Sequence, residues 1–180
     1  MTVHHIPCGE FANESERKAV ERLKADLNKV AGQRDWIILS NVPHSVTTQA
    51  VPDDVDLIVI GPSGLHVIEV KHWDSSYVSG FSNTVTHETD KLANKLRKIA
   101  SKLKKANIDA GFLAGKFLLT RESVSWKSKR PTIHGSTFFG LKETSQLLEL
   151  GLLQALTETE VQKICQVLQP LSKIALTGEV

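Results

Sequence analysis

Three residues in the stretch DVDLIVIGPSGLHVIEVKH (54–72) are chemically out of place. Asp56, Glu69 and Lys71 sit at the ends of two apolar runs that flank Gly61-Pro62-Ser63-Gly64. Charges inside a sheet are costly unless paired or bound to a metal. The runs predict strands over 55–60 and 65–71, and the glycine-bounded turn closes them into a hairpin. If the turn 61–64 closes symmetrically, Ile60 faces Leu65, Ile58 faces Val67, and Asp56 faces Glu69. Side chains alternate along a strand, so Asp56, Ile58, Ile60, Leu65, Val67, Glu69 and Lys71 share one face. The two carboxylates would then stand with Cβ atoms about 4.5–5.5 Å apart. A divalent cation between them would relieve their repulsion, and hard oxygen donors suit Mg²⁺ or Mn²⁺. Lys71 is placed to steer a phosphate or a nucleophilic water.

A helix predicted over 13–30 supplies a third acid. Glu16, Val20, Leu23 and Leu27 follow i, i+4, i+7, i+11, which puts Glu16 on the core-facing stripe. Glu14 lies about 200° around the helix, on the solvent side. Asn13 and Glu16 also have the spacing of a capping box. The plainer alternative is an ion pair of Lys71 with Glu69 or Asp56 at a strand end, with Glu16 a capping acid only. Four functional groups converging by independent geometry favour a site.

The remaining elements must position these groups. DWIILSNV (35–42) is a short β-rich run, and 43–53 reads as a loop. Both strands of the hairpin are apolar at both parities, so they are central and covered on both faces. YVSGFSNTVTH (77–87) is expected to add a strand or ribbon. Residues 88–106 form a helix with Leu92, Leu96, Ile99 and Leu103 as its apolar stripe. KFLLT (116–120) is a buried strand, a basic loop follows, and a short strand lies around 136–141. ETSQLLELG and TETEVQKICQVLQPL are two more helices, the second opened by a Thr157/Glu160 capping box. Helices on both sides of a mixed sheet suit this order, an α/β fold. Residues 1–172 are expected to form one domain, with 173–180 a tail into a further domain.

With 180 residues, 41% hydrophobic and 23% charged, the chain can bury one sizeable core. A net charge of +2 does not announce a nucleic-acid binder, so such a role must come from local clustering. Lys91, Lys95, Lys98, Lys102 and Lys105 recur at helical spacing beside the apolar stripe, and Lys127, Lys129 and Arg130 lie in the basic loop near Trp126. Their alternative is a solvated face whose alkyl stems snorkel over the core edge. His4 and His5 are assigned to a frayed terminus, His87 to a helix cap or phosphate contact, and His66 and His72 to the face opposite the acids. Cys8 and Cys165 fit no metal-ligand spacing and read as reduced thiols, one disulfide being the alternative. The N-terminus has no apolar signal region, and no run is long enough to span a bilayer; the expectation is a cytoplasmic protein without a membrane partner.

Asp56, followed thirteen residues on by Glu69-Val70-Lys71, resembles the PD-(D/E)xK nuclease superfamily. SERKAVERL (15–23), DLIVIGPSGLHVIEVKHW (56–73) and LTETEVQKICQVL (156–168) are similar to the nuclease-related domain, NERD. The helix motif of that family usually shows Gly-Glu where this chain has Ser15-Glu16, and no proline precedes Asp56. The resemblance implies a restriction-endonuclease-like αβββαβ core. It further implies metal ligation by Asp56 and Glu69, with Val70 in the ligating set, Lys71 as catalytic lysine and Glu16 as the helix-borne acid. The implied activity is Mg²⁺- or Mn²⁺-dependent hydrolysis of DNA, with RNA as the lesser candidate. A rival reading is a non-catalytic nucleic-acid or protein-interaction module of a larger protein. Families resembling this one often carry fused kinase or helicase modules, and resemblance alone suggests a role in defence.

Overall fold

A computed structural model of the chain describes residues 3–29, 35–43, 54–109, 113, 115–121, 124, 126, 130–149 and 156–169. Among these, the strands are β1 (Val3–Pro7), β2 (Trp36–Val42), β3 (Val55–Gly61), β4 (Gly64–Lys71), β5 (Gly115–Leu119), β6 (Thr132–Ile133) and β7 (Ser136–Gly140). They form one mixed sheet in the order β1-β2-β3-β4-β5-β7-β6. The pairs β1–β2, β4–β5 and β5–β7 are parallel, and β2–β3, β3–β4 and β6–β7 antiparallel. The helices are α1 (Glu14–Lys29), α2 (Ser75–Ser79), α3 (Asn83–Lys105), α4 (Thr144–Glu149) and α5 (Glu158–Leu168). No described helix is long and apolar enough to cross a membrane.

The sheet is covered on both faces because its central strands are apolar at almost every position. Ala19, Val20, Leu23 and Leu27 of α1 pack with Leu57, Val59, Ile68 and Val70. Leu92, Leu96, Ile99 and Leu103 of α3 and Val161, Ile164 and Leu168 of α5 pack with Ile58, Ile60 and Val67, the alternate set. Helix α1 therefore covers one face and α3 with α5 the other.

Three sequence expectations change. Residues 77–87 form no strand but the end of α2, a short break at 80–82 and the start of α3: Asp74 caps α2 by accepting the Tyr77 N–H at 2.8 Å, and Ser82 caps α3 by accepting that of Val85 at 3.3 Å. Local side-chain caps thus override the aromatic and β-branched content of the segment. His4 and His5 lie in β1, whose pairing with β2 extends the sheet, rather than in a frayed end. His87 is an exposed residue within α3, because Ser82 already supplies the cap. Both cysteines are free thiols, as their spacing suggested.

The β3–β4 turn is tighter than four residues, since Gly61 pairs with Gly64 and only Pro62 and Ser63 bridge them. Gly64 has φ of 119°, a conformation open to glycine. Gly61 lies under Trp36, where a Cβ would come within 2.1 Å of the indole. A buried polar chain ties this turn to α4. The Ser63 hydroxyl donates to the Leu148 carbonyl at 2.7 Å and lies 2.8 Å from His66 Nε2. Lys116 Nζ is 2.6 Å from His66 Nδ1 and donates to the Leu147 carbonyl at 2.6 Å. Burial brings the Lys116 ammonium down to about 7. His66 is thereby occupied on the face away from the acids.

Candidate active site

The hairpin register places Asp56 and Glu69 together. Ile60 pairs with Leu65, Ile58 with Val67 and Leu57 with Ile68, so Asp56 and Glu69 occupy the next position. There the side chain takes over from the ladder: Asp56 Oδ2 accepts the Val70 N–H at 2.7 Å. Val70 thus contributes its main-chain donor to Asp56. On the other side of β3, the β2 pairing runs from Ser40–Leu57 to Val42–Val55 and skips Asn41, whose φ is 51°. Asn41 is buried opposite Asp56, and its Nδ2 has no hydrogen-bond partner among the described residues.

Glu16 arrives from α1 and the remaining groups from α3. Glu16 is buried, and its carboxylate accepts the Ala12 N–H at 2.9 Å and the Asn13 side-chain amide at 3.0 Å. Glu14 is exposed and paired with Arg17, as the helical phase requires. Although α1 and α3 cover opposite faces of the sheet, their charged ends meet beyond the paired part of β3 and β4. There Glu16, Asp56, Glu69, Lys71, Glu88, Lys91 and Lys95 line one cleft of about 480 Å³.

The charges of this cleft are interlocked. Lys71 Nζ lies 2.6 Å from Glu88 Oε2 and 3.8 Å from Glu69 Oε2. Lys91 donates to Glu88 Oε1 at 2.9 Å. Lys95 donates to Glu69 Oε1 at 2.8 Å and to the Asp54 carbonyl at 2.6 Å. Burial pushes the Glu69 carboxyl up, the neighbouring Asp56 charge adds to this, and Lys95 opposes it, leaving Glu69 at about 7. Asp56 is also raised, chiefly by burial, against the Val70 N–H and Lys71. For Glu88, burial works upward but the hydrogen bonds from Lys71 and Lys91 outweigh it, holding the carboxyl at about 2. Burial disfavours the Lys71 ammonium, yet Glu88, Glu69 and Asp56 together raise it, so Lys71 stays protonated.

Several expected nucleic-acid contacts need correction. Lys95 is only 7% exposed and turns into the cleft, so it is not part of an outer basic stripe. The stripe is left with Lys91, which is tied to Glu88, and the exposed Lys98, Lys102 and Lys105. Arg130 is not a free loop cation: it pairs with Glu143, bonds Gln146 at 2.8 Å and lies 4.4 Å over the Phe139 ring. Trp126 is likewise engaged, donating its indole N–H to Glu143 at 3.1 Å. Lys127 and Lys129 lie outside the described residues. Sequence reasoning missed Glu88, Lys95 and Asn41 as cleft residues. Glu88 carried a usable signal, since it stands one turn before Lys91 and two turns before Lys95 on a single helix face.

The arrangement can hold a cation by a pair of acids rather than by a cage. Among the described residues, no three His, Cys, Asp or Glu side chains gather closely enough to enclose an ion. Asp56 and Glu69 offer two hard oxygen donors, which leaves other coordination positions to water and substrate. Mg²⁺ commonly binds this way, through one or two carboxylates while keeping several waters. The donor set therefore fits such an ion.

The family model of the nuclease-related domain (NERD) matches residues 12–140, a span that contains α1, the hairpin and α3. No curated protein and no solved structure matches the chain.

Proposed function

The chain belongs to the nuclease-related domain family, and from that premise we propose that it is a Mg²⁺- or Mn²⁺-dependent nuclease hydrolysing DNA phosphodiester bonds. The observation that carries the reading is the placement of Asp56 and Glu69 side by side in a cleft where burial raises both carboxyls, with the Asp56 charge adding to this at Glu69 and the Glu16 charge at Asp56. Such a pair is unfavourable in itself and becomes favourable once a cation sits against it. Asp56 and Glu69 would hold the ion, with the Val70 main chain adjoining it. When bound, a divalent ion acidifies water and neutralises charge on the phosphate.

The residues of the chain do the rest. Asp56 is aimed by the Val70 N–H, which fixes one oxygen and leaves the other to the cleft. Lys71, kept protonated by three carboxylates, acts as a cationic donor to the phosphate or its attacking water rather than as a base. Glu88 anchors that ammonium at 2.6 Å and limits where it can swing. Glu16 adds negative charge near Asp56 from the other side. The exposed Lys98, Lys102 and Lys105 offer a phosphate-binding edge along α3.

The test is cleavage of plasmid and linear DNA by purified Asp56→Asn, Glu69→Gln and Lys71→Met variants with and without Mg²⁺. Asparagine retains an acceptor for the Val70 N–H, so loss of activity there is not loss of the strand end. The expected result is abolished cleavage with an unchanged circular dichroism spectrum. Undiminished cleavage by the three variants would overturn the assignment, and metal-independent DNA binding without cleavage by the wild type would favour a recruiting module instead.

A further inference from the structure

We propose that Lys95 is the resident counter-cation of this cleft, a positioning residue that holds Glu69 before a divalent ion binds and whose ammonium that ion displaces. The inference rests on the metal reading of Asp56 and Glu69 and adds to it a built-in competitor. Lys95 stands on α3, one turn past Lys91 and two past Glu88, so the three heads follow one line along the helix into the cleft. It alone of that line is buried, at 7% exposure. A buried ammonium is costly unless several acceptors surround it. Two of the acceptors of Lys95 are a carboxylate oxygen of Glu69 and the main-chain carbonyl of Asp54, two residues before Asp56. Both are hard oxygens of the kind Mg²⁺ and Mn²⁺ take.

The ammonium therefore draws on the oxygens that a metal ion would draw on. With no ion bound, Lys95 offsets the repulsion between Asp56 and Glu69 and keeps Glu69 turned into the cleft. An arriving ion must compete with it at Glu69 and afterwards tolerate a positive neighbour a few ångströms away, a repulsion that the lysine escapes only in part by swinging aside. The residue thus lowers metal affinity while stabilising the metal-free fold. A lysine with a merely structural role would raise both or leave affinity untouched.

The experiment measures Mn²⁺ binding by titration calorimetry and thermal unfolding with and without Mn²⁺, for wild type, Lys95→Met and Lys95→Gln. Methionine keeps the length of the stem without the charge. Glutamine keeps a donor for Glu69, so it carries the test if the methionine variant does not fold. The expected result is roughly tenfold tighter Mn²⁺ binding in a folded neutral variant. That variant should also unfold at a lower temperature than wild type without metal and gain more from Mn²⁺. Equal or weaker Mn²⁺ affinity in the neutral variants, with wild type binding, would overturn the role of Lys95 and leave the metal site standing. Absence of Mn²⁺ binding in all three proteins would remove the metal reading itself, and this inference with it.

Discussion

Replacing Glu69 by glutamine should change the pH dependence of stability in a way fixed by the cleft. The Glu69 carboxyl lies at about 7 in the fold against an ordinary 4.5. At about 1.36 kcal/mol per unit, ionising it inside the folded protein costs roughly 3 kcal/mol. Between about pH 4.5 and 7 the native state holds a proton that the unfolded chain has released, so stability falls as pH rises through this window. His66 works in the opposite sense over part of the same range. Burial, with Lys116 beside it, holds its imidazole well below the usual value, so acid favours the unfolded chain. Wild-type stability alone would mix the two, whereas the difference between wild type and Glu69→Gln cancels His66. Glutamine cannot titrate and still accepts from Lys95. Relative to this variant, metal-free wild type should lose about 3 kcal/mol from about pH 4.5 to about pH 8. Because Asp56 titrates with Glu69, the loss belongs to the pair. Urea denaturation in a chelator, followed by tryptophan fluorescence, reads it directly. A difference constant to within about 0.5 kcal/mol across the window, or one growing in favour of wild type, would show that Glu69 is not held protonated by the fold.

Two further outcomes follow from the packing and the surface. Gly61→Ala should destabilise the fold by about 1–3 kcal/mol, because the added Cβ would press to within 2.1 Å of the Trp36 ring; an unchanged denaturation midpoint would contradict this close approach. Joint replacement of Lys98, Lys102 and Lys105 by alanine should weaken DNA binding and reduce the slope of log affinity against log salt by up to about 3, roughly one for each phosphate no longer neutralised, as fluorescence anisotropy across a salt series would show. An unchanged slope would assign these lysines to a solvated face.

The hairpin was legible in the sequence because two simple periods meet in it. A short glycine-bounded turn fixes register, and strand alternation then decides which charges share a face. Glu16 followed from the helical period alone. Lys95 could not be read in this way. The basic positions 91, 95, 98 and 102 border the apolar positions 92, 96, 99 and 103, so a lysine at that border can face water or fold inward. Which it does depends on an acid presented by the sheet, and that partner is a tertiary fact. The segment 77–87 misled through Tyr77, Val78 and Val85, residue types that favour strands, although Asp74 and Ser82 stood at cap spacing three residues before the N–H groups they accept. β1 was hidden because VHHIP is short and half polar, as befits an edge strand whose outer side has no neighbour among the described strands.

Apart from Glu10 and Glu16, the charged groups that line the cleft come from 54–95, the hairpin and the helix that follows it. Contacts within so short a length of chain close at low entropic cost, so they are expected to form before distant strands such as β1 and β7 dock. Asp56 and Glu69 would then meet while the rest of the protein is still forming, and their repulsion would act during folding as well as in its end state. On that expectation, whatever relieves it, whether a proton, Lys95 or a bound ion, should speed folding more than it slows unfolding, which stopped-flow refolding and unfolding of Lys95→Met against wild type would read directly.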